Sequence, residues 1–168
     1  MPRILTAVFA ALWTLPAAGQ SFDTIATADH GAWKSAEMVN SLTGKRFCAA
    51  ETLSLYDQVL RLVLYEGGDA FLEVVDVSWD YVNGDPLRFN LIVDGMEQVV
   101  TGQGWTGSIS LDLLDTGARA ALLTKISGAD RLDIRLPNRS RVAQFQLDGA
   151  DAAIAAAKNC WAEISGQN

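Results

Sequence analysis

From Ala32 onward, short apolar runs and strict alternation dominate the chain. Leu87, Phe89, Leu91 and Val93 alternate with Arg88, Asn90 and Asp94, the period-2 signature of a strand with one wet face. Ile109, Leu111 and Leu113 alternate in the same way with Ser108, Ser110 and Asp112. Residues 59–65 and 70–79 are apolar and rich in β-branched and aromatic side chains. Glu66-Gly67-Gly68-Asp69 between them supplies the φ > 0 positions of a hairpin. Earlier strands are predicted over 32–39 and 45–53, parted by Asn40, Ser41 and Gly44. A turn is predicted over 80–86 around Asn83-Gly84, and Asp94-Gly95 turns the following strand into another over 97–103.

The period then changes. Ala118, Leu122 and Ile126 recur at helical spacing and Gly128 follows them, which predicts a helix over 117–127. Leu132, Ile134 and Leu136, then Ala143, Phe145 and Leu147, return to alternation across a turn over 137–140. Asp148-Gly149-Ala150-Asp151 opens an alanine-rich helix to about Ile164, with Ile154, Ala157, Trp161 and Ile164 on one stripe. Strands joined by short turns are antiparallel neighbours. The prediction is a single α+β domain over 32–165: a meandering antiparallel sheet of about nine strands with two helices, the last one C-terminal.

The first residues carry a different message. Arg3, an uncharged run from Ile4 to Leu15, then Pro16, Ala17, Ala18 and Gly19 follow the order of a secretory signal peptide. The run is too short to span a bilayer, and a buried core helix is the alternative. The expectation is a leader over 1–19, a flexible lead-in over 20–31 that is small, polar and without periodicity, and a periplasmic or secreted mature chain. No later segment is long and apolar enough to form a transmembrane helix.

Composition narrows the chemistry. The net charge of −7 opposes nucleic-acid phosphates and anionic lipid surfaces. His30 is the only histidine and lies in the expected lead-in, so Ser-His or Cys-His catalysis lacks a positioned base. Gly102-Gln103-Gly104-Trp105-Thr106-Gly107 spells a dinucleotide fingerprint in letters, but it joins two strands and opens no helix. Asp76, Asp80 and Asp85, with Glu73, could supply a two-carboxylate glycan-hydrolase pair; solvated strand ends and turn formers are the plainer reading. No catalytic residue, metal site or cofactor is assigned.

Cys48 and Cys160 are the only cysteines. In an oxidising compartment two such residues are most simply a disulfide. A free buried thiol or a nucleophile is the alternative, although neither has a nearby His or a Cys-x-x-Cys partner. A bond would tie the last helix to the sheet.

Two groups of side chains are candidates for binding. Trp79 and Tyr81 share a strand face beside a turn, and Trp105 sits in a Gly-rich turn; such aromatics serve as interface anchors or as plugs over a sheet. Arg131, Arg135, Arg139 and Arg141 concentrate basic charge on one hairpin of an acidic chain. Alternation sets Asp133 between the first two, so the cluster reads either as a self-paired edge or as a site for an anionic partner.

Trp33, Phe47-Cys48-Ala49-Ala50, Leu91-Ile92-Val93-Asp94-Gly95 and the ending from Phe145 to Ile154 with Cys160 resemble small secreted alphaproteobacterial proteins similar to the invasion-associated locus B family. The ending is also similar to that of the secretion accessory protein VasI. The resemblance implies an envelope or exported protein of binding type, with Cys48 and Cys160 paired and no catalytic residue. Together with the export signal and the missing catalytic imidazole, it leads to the expectation of a non-catalytic protein whose partner is a protein or glycan of the cell envelope. A periplasmic inhibitor of a lysozyme-like hydrolase is the runner-up within binding.

Overall fold

The computed structural model describes residues 22–113 and 116–166; the expected leader over 1–19 lies outside them. Eight strands and two helices follow in the order β1 (Phe22–His30), β2 (Trp33–Asn40), β3 (Arg46–Leu53), β4 (Val59–Tyr65), β5 (Ala70–Val93), β6 (Met96–Asp112), α1 (Thr116–Ser127), β7 (Arg131–Arg135), β8 (Arg141–Gln146) and α2 (Ala150–Ile164). All pairings are antiparallel, in the order β1-β2-β3-β4-β5-β7-β8, with β6 on β5. The expected α+β meander with two helices is the observed fold class.

Three details differ from the expectation. Residues 22–30, expected as part of a flexible lead-in, form β1, hydrogen-bonded to β2 from Phe22 opposite Asn40 to His30 opposite Trp33. An edge strand with nearly every side chain exposed needs no apolar alternation, so periodicity could not reveal it. The turn expected over 80–86 is instead the middle of β5, and the Gly-rich turn holding Trp105 is the middle of β6. Four expected strands are therefore two long ones, and with β1 added the sheet has eight strands among the described residues, in keeping with the expected count of about nine.

The two expected turns are the corner of a folded ribbon. β5 and β6 meet at the Asp94-Gly95 turn, where both residues have positive φ, and pair from end to end with register shifts between Val75 and Asp80 and between Asp80 and Asp85. A straight strand would separate Gly102 from Ser110 by about 26 Å at about 3.3 Å per residue. Instead Gly102 lies against the Ser110 carbonyl and the Leu111 side chain, where a Cβ would collide. The ribbon doubles back, so β4 pairs β5 over 70–75 and β7 pairs it over 90–93.

One core fills the inside of the fold. Leu60, Leu62 and Leu64 of β4, Leu72 and Val74 of β5 and Ile109 and Leu111 of β6 meet Phe89 and Leu91 of β5, Ile134 of β7 and Phe145 of β8. Trp33 closes this core at 1% exposure. The helices supply Leu122, Leu123 and Ile126 from α1 and Ala153, Ile154 and Ala157 from α2. The small alanines let α2 settle close on β2 and β3. There Cys48, fully buried, is bonded to Cys160 across a Cα separation of 6.0 Å, so the expected disulfide ties the final helix to the sheet. The reverse face of β3 and β4 buries Phe47, Ala49 and Val63 under Phe22, Met38 and Tyr65.

Candidate functional site

The β3–β4 loop, the ribbon corner and the start of β8 are joined by one side chain. Gln58, buried at the foot of the loop, donates from Nε2 to Asp76 Oδ2 at 3.1 Å and to the Val142 carbonyl at 3.1 Å. Ser54 fixes the loop from its other end: its Oγ accepts the N–H groups of Tyr56 and Gln58 at 3.0 and 3.1 Å, and its own N–H donates to the Gln58 carbonyl at 2.7 Å. This tight Ser-centred turn takes Asp57 into positive φ. With the backbone turned inward on Ser54, the large side chains point out: Leu55 is 91% exposed and Tyr56 is exposed beside it.

The corner is fixed as firmly. Asp76 Oδ1 accepts the Ser78 N–H at 3.0 Å and the Ser78 hydroxyl at 2.6 Å, leaving Val77 between them 93% exposed. Asn83 Oδ1 accepts the Thr106 N–H at 3.0 Å, and the Trp105 indole donates to Ser110 Oγ at 2.9 Å. Trp79 and Tyr81 meet edge to face with ring centroids 5.9 Å apart, half-buried against the core. Gly104 is where the Tyr81 ring lies, since a Cβ there would touch it. Trp105 is the most open of the three aromatics and Val82 is exposed near it. Leu55, Tyr56, Val77, Val82 and Trp105 thus stand exposed around this hydrogen-bonded loop and corner as an apolar rim.

Sequence reasoning singled out the three aromatics but missed Leu55, Tyr56 and Val77. The available signal was two large apolar residues inside a Ser- and Asp-bounded turn, where burial cannot explain them. It also missed Gln58, whose bridging role depends on contacts 18 and 84 residues away.

The carboxylates have divided environments. Hydrogen bonds from the Ser78 hydroxyl and N–H, with Gln58 adding a third, hold Asp76 below the usual carboxylate range. Burial raises Glu73, while Arg61 opposite it on β4 pulls the other way. Arg61 itself donates to Glu51 Oε2 at 2.8 Å. The Tyr65 phenol is raised by burial and then by the Glu73 charge. Asp80 and Asp85 are exposed on the corner. Asp76 already uses both oxygens as structural acceptors.

The four arginines occupy one end of the sheet. Arg131 Nη2 lies 2.8 Å from Asp133 Oδ2, and Arg141 Nε lies 3.4 Å from Oδ1 of the same carboxylate, which is 1% exposed. Arg135 stands directly opposite Arg141 in the β7–β8 register, with its Nε buried and without a hydrogen-bond partner. Arg139 is exposed on the turn at φ 69°. His30 closes β1 and shares a 2.9 Å hydrogen bond with Ser35.

In overall fold the chain is similar to the crystal structure of invasion associated protein B from Bartonella henselae. The two share a fold. The TM-score is 0.54 at 15% identity, covering 82% of this chain and 98% of the Bartonella protein. The resemblance read from Phe47-Cys48 and the C-terminal ending thus has a structural counterpart. No family model matches the chain, and no curated protein matches it. No helix among the described residues is long and apolar enough to cross a membrane.

Proposed function

We propose that this is an exported, non-catalytic protein that binds a protein or glycan of the bacterial envelope or its surroundings. The observation that carries the reading is the apolar rim of Leu55, Tyr56, Val77, Val82 and Trp105. Scattered exposed apolar residues are ordinary; a group held outward by Ser54, Gln58 and Asp76 resembles the anchors of an interface. Export to the periplasm or beyond is supported by the leader pattern of residues 1–19 and by a disulfide, which persists in oxidising compartments. The shared fold with an invasion associated protein is in keeping with this setting.

The test is capture from envelope extract by the immobilised mature chain, compared with Leu55→Asp and Val77→Asp. Both changes fall on exposed positions, so the fold is expected to persist. Species retained by the parent and lost by both variants support the reading. Identical profiles for all three overturn it.

A second reading, an inhibitor of a lysozyme-like hydrolase, rests on the β3–β4 loop, a rigid turn that presents Leu55 and Tyr56 as an inhibitory loop does to a cleft. Lysozyme assays with the parent chain and Tyr56→Ala decide it. The two-carboxylate hydrolase reading has less support, because Asp76 is occupied by Ser78 and Gln58.

A further inference from the structure

The outer face of β5, β7 and β8 carries more positive charge than the chain around it can neutralise. Arg131, Arg135 and Arg141 lie on this face, and register adds Arg88. Asn90 pairs with Arg135, and Arg88 precedes Asn90 by two residues on the same side of β5. With Arg139 on the adjoining turn, five of the chain's 13 basic residues gather here although its net charge is −7. The carboxylates on or beside the face are Asp133, which is buried beneath Arg131 and Arg141, Glu97, opposite Ile92 on β6, and Asp94, which accepts the Arg131 N–H at 3.0 Å. Among the described residues no ion pair reaches Arg88, Arg135 or Arg139.

Arg135 is the centre of the imbalance. Like charges directly opposite on neighbouring strands destabilise a sheet, and Arg135 faces Arg141 in that way. Arg141 has Asp133 for relief, whereas Arg135 keeps a buried, unpartnered Nε–H. That unpaired donor carries a cost, and because the Arg135 side chain is only half-buried an oxyanion can approach its accessible part and supply the charge that no carboxylate provides. No lysine belongs to this group, and guanidinium groups favour planar, bidentate recognition of oxyanions over diffuse attraction.

We propose that Arg135, flanked by Arg88, Arg139 and Arg141, forms an oxyanion site for a discrete phosphate group such as a phosphate monoester. A discrete phosphate is favoured over an extended anionic membrane because the net acidic chain is repelled by such a surface. The site deepens the binding reading above, yet it is separate from the apolar rim. Capture that depends on Leu55 stands or falls independently of it.

The test follows the arginine Nε–Hε resonances of the mature, disulfide-bonded protein during titration with glucose 6-phosphate, inorganic phosphate and chloride at matched ionic strength. The expected result is a saturable shift of the Arg135 resonance with both phosphates and none with chloride. Apparent affinity falls at least tenfold in Arg135→Gln and measurably in Arg88→Gln, an exposed change that keeps the test open should the first variant unfold. Equal responses to phosphate and chloride overturn the site, as does an Arg88→Gln variant that titrates like the parent. Binding to phosphatidylglycerol vesicles with no response to glucose 6-phosphate overturns the assignment to a discrete phosphate.

Discussion

Gly102 lies against the main-chain carbonyl of Ser110, eight residues further along the same strand. That contact marks where the β5–β6 ribbon doubles back. A methyl group at 102 would meet backbone, which cannot swing aside as a side-chain tip can. Gly102→Ala is therefore expected to destabilise the protein by about 1 to 3 kcal/mol, the usual cost of overpacking. Gly67→Ala, with open space around it, is expected to stay within about 0.5 kcal/mol. Urea denaturation midpoints of both variants check this.

The Cys48–Cys160 bond closes 112 residues and joins α2 to the centre of β3. Chain-entropy arguments give about 4 to 5 kcal/mol for a loop of that order, and removal of a disulfide from a small secreted domain costs about 2 to 5 kcal/mol. Reduction, or replacement of both cysteines by alanine, is expected to lower stability within that range. Thiol titration of the unreduced protein in denaturant is expected to find none; two thiols per chain would refute the pairing.

Most of the meander was legible because its strands have one buried face, and alternation reports burial. Leu132 and Ile134, or Phe145 and Leu147, declare themselves in this way. β1 was illegible for the same reason, since its ladder to β2 is main chain and its side chains are exposed. At 80–86 and 102–107 the glycines and asparagine correctly marked a sharp change of direction. They could not tell a chain reversal from a bend that two paired strands share. Arg88 joins the other arginines only through the β5–β7 pairing, a contact across about 45 residues that no local pattern encodes.

Glu73 and Asp76, three residues apart, are expected to give stability opposite pH slopes. Burial raises Glu73 in the folded chain, so its contribution is fully present below its ordinary value of 4.5 and is lost as pH rises through the raised folded value. Asp76 is lowered by its hydrogen bonds. Its contribution is present above 3.8 and is lost as pH falls through the depressed folded value. Glu73→Gln is therefore expected to gain stability relative to the parent near neutrality and to lose that advantage below pH 4.5. Asp76→Asn is expected to cost most near neutrality and least in strong acid. Denaturation midpoints across the pH range read both.

Asp133 is buried between Arg131 and Arg141, each of which keeps about half of its side chain in solvent. That asymmetry predicts unequal costs for removing the partners. Arg131→Met leaves the buried carboxylate with only the longer 3.4 Å contact to Arg141, an under-compensated charge. A loss of about 2 to 3 kcal/mol is expected, below the full cost of a wholly buried pair because water reaches the guanidinium. Asp133→Asn instead leaves arginines that can rehydrate, and a loss of about 1 kcal/mol is expected. Salt separates the two mechanisms. Without Asp133, Arg131, Arg135 and Arg141 repel one another at the surface, so raising the ionic strength is expected to restore part of the Asp133→Asn loss. The Arg131→Met loss is expected to persist in salt, because its origin is a desolvated carboxylate. Denaturation of both variants at low and high salt measures the difference; equal salt responses would show that Asp133 is not electrostatically isolated beneath its arginines.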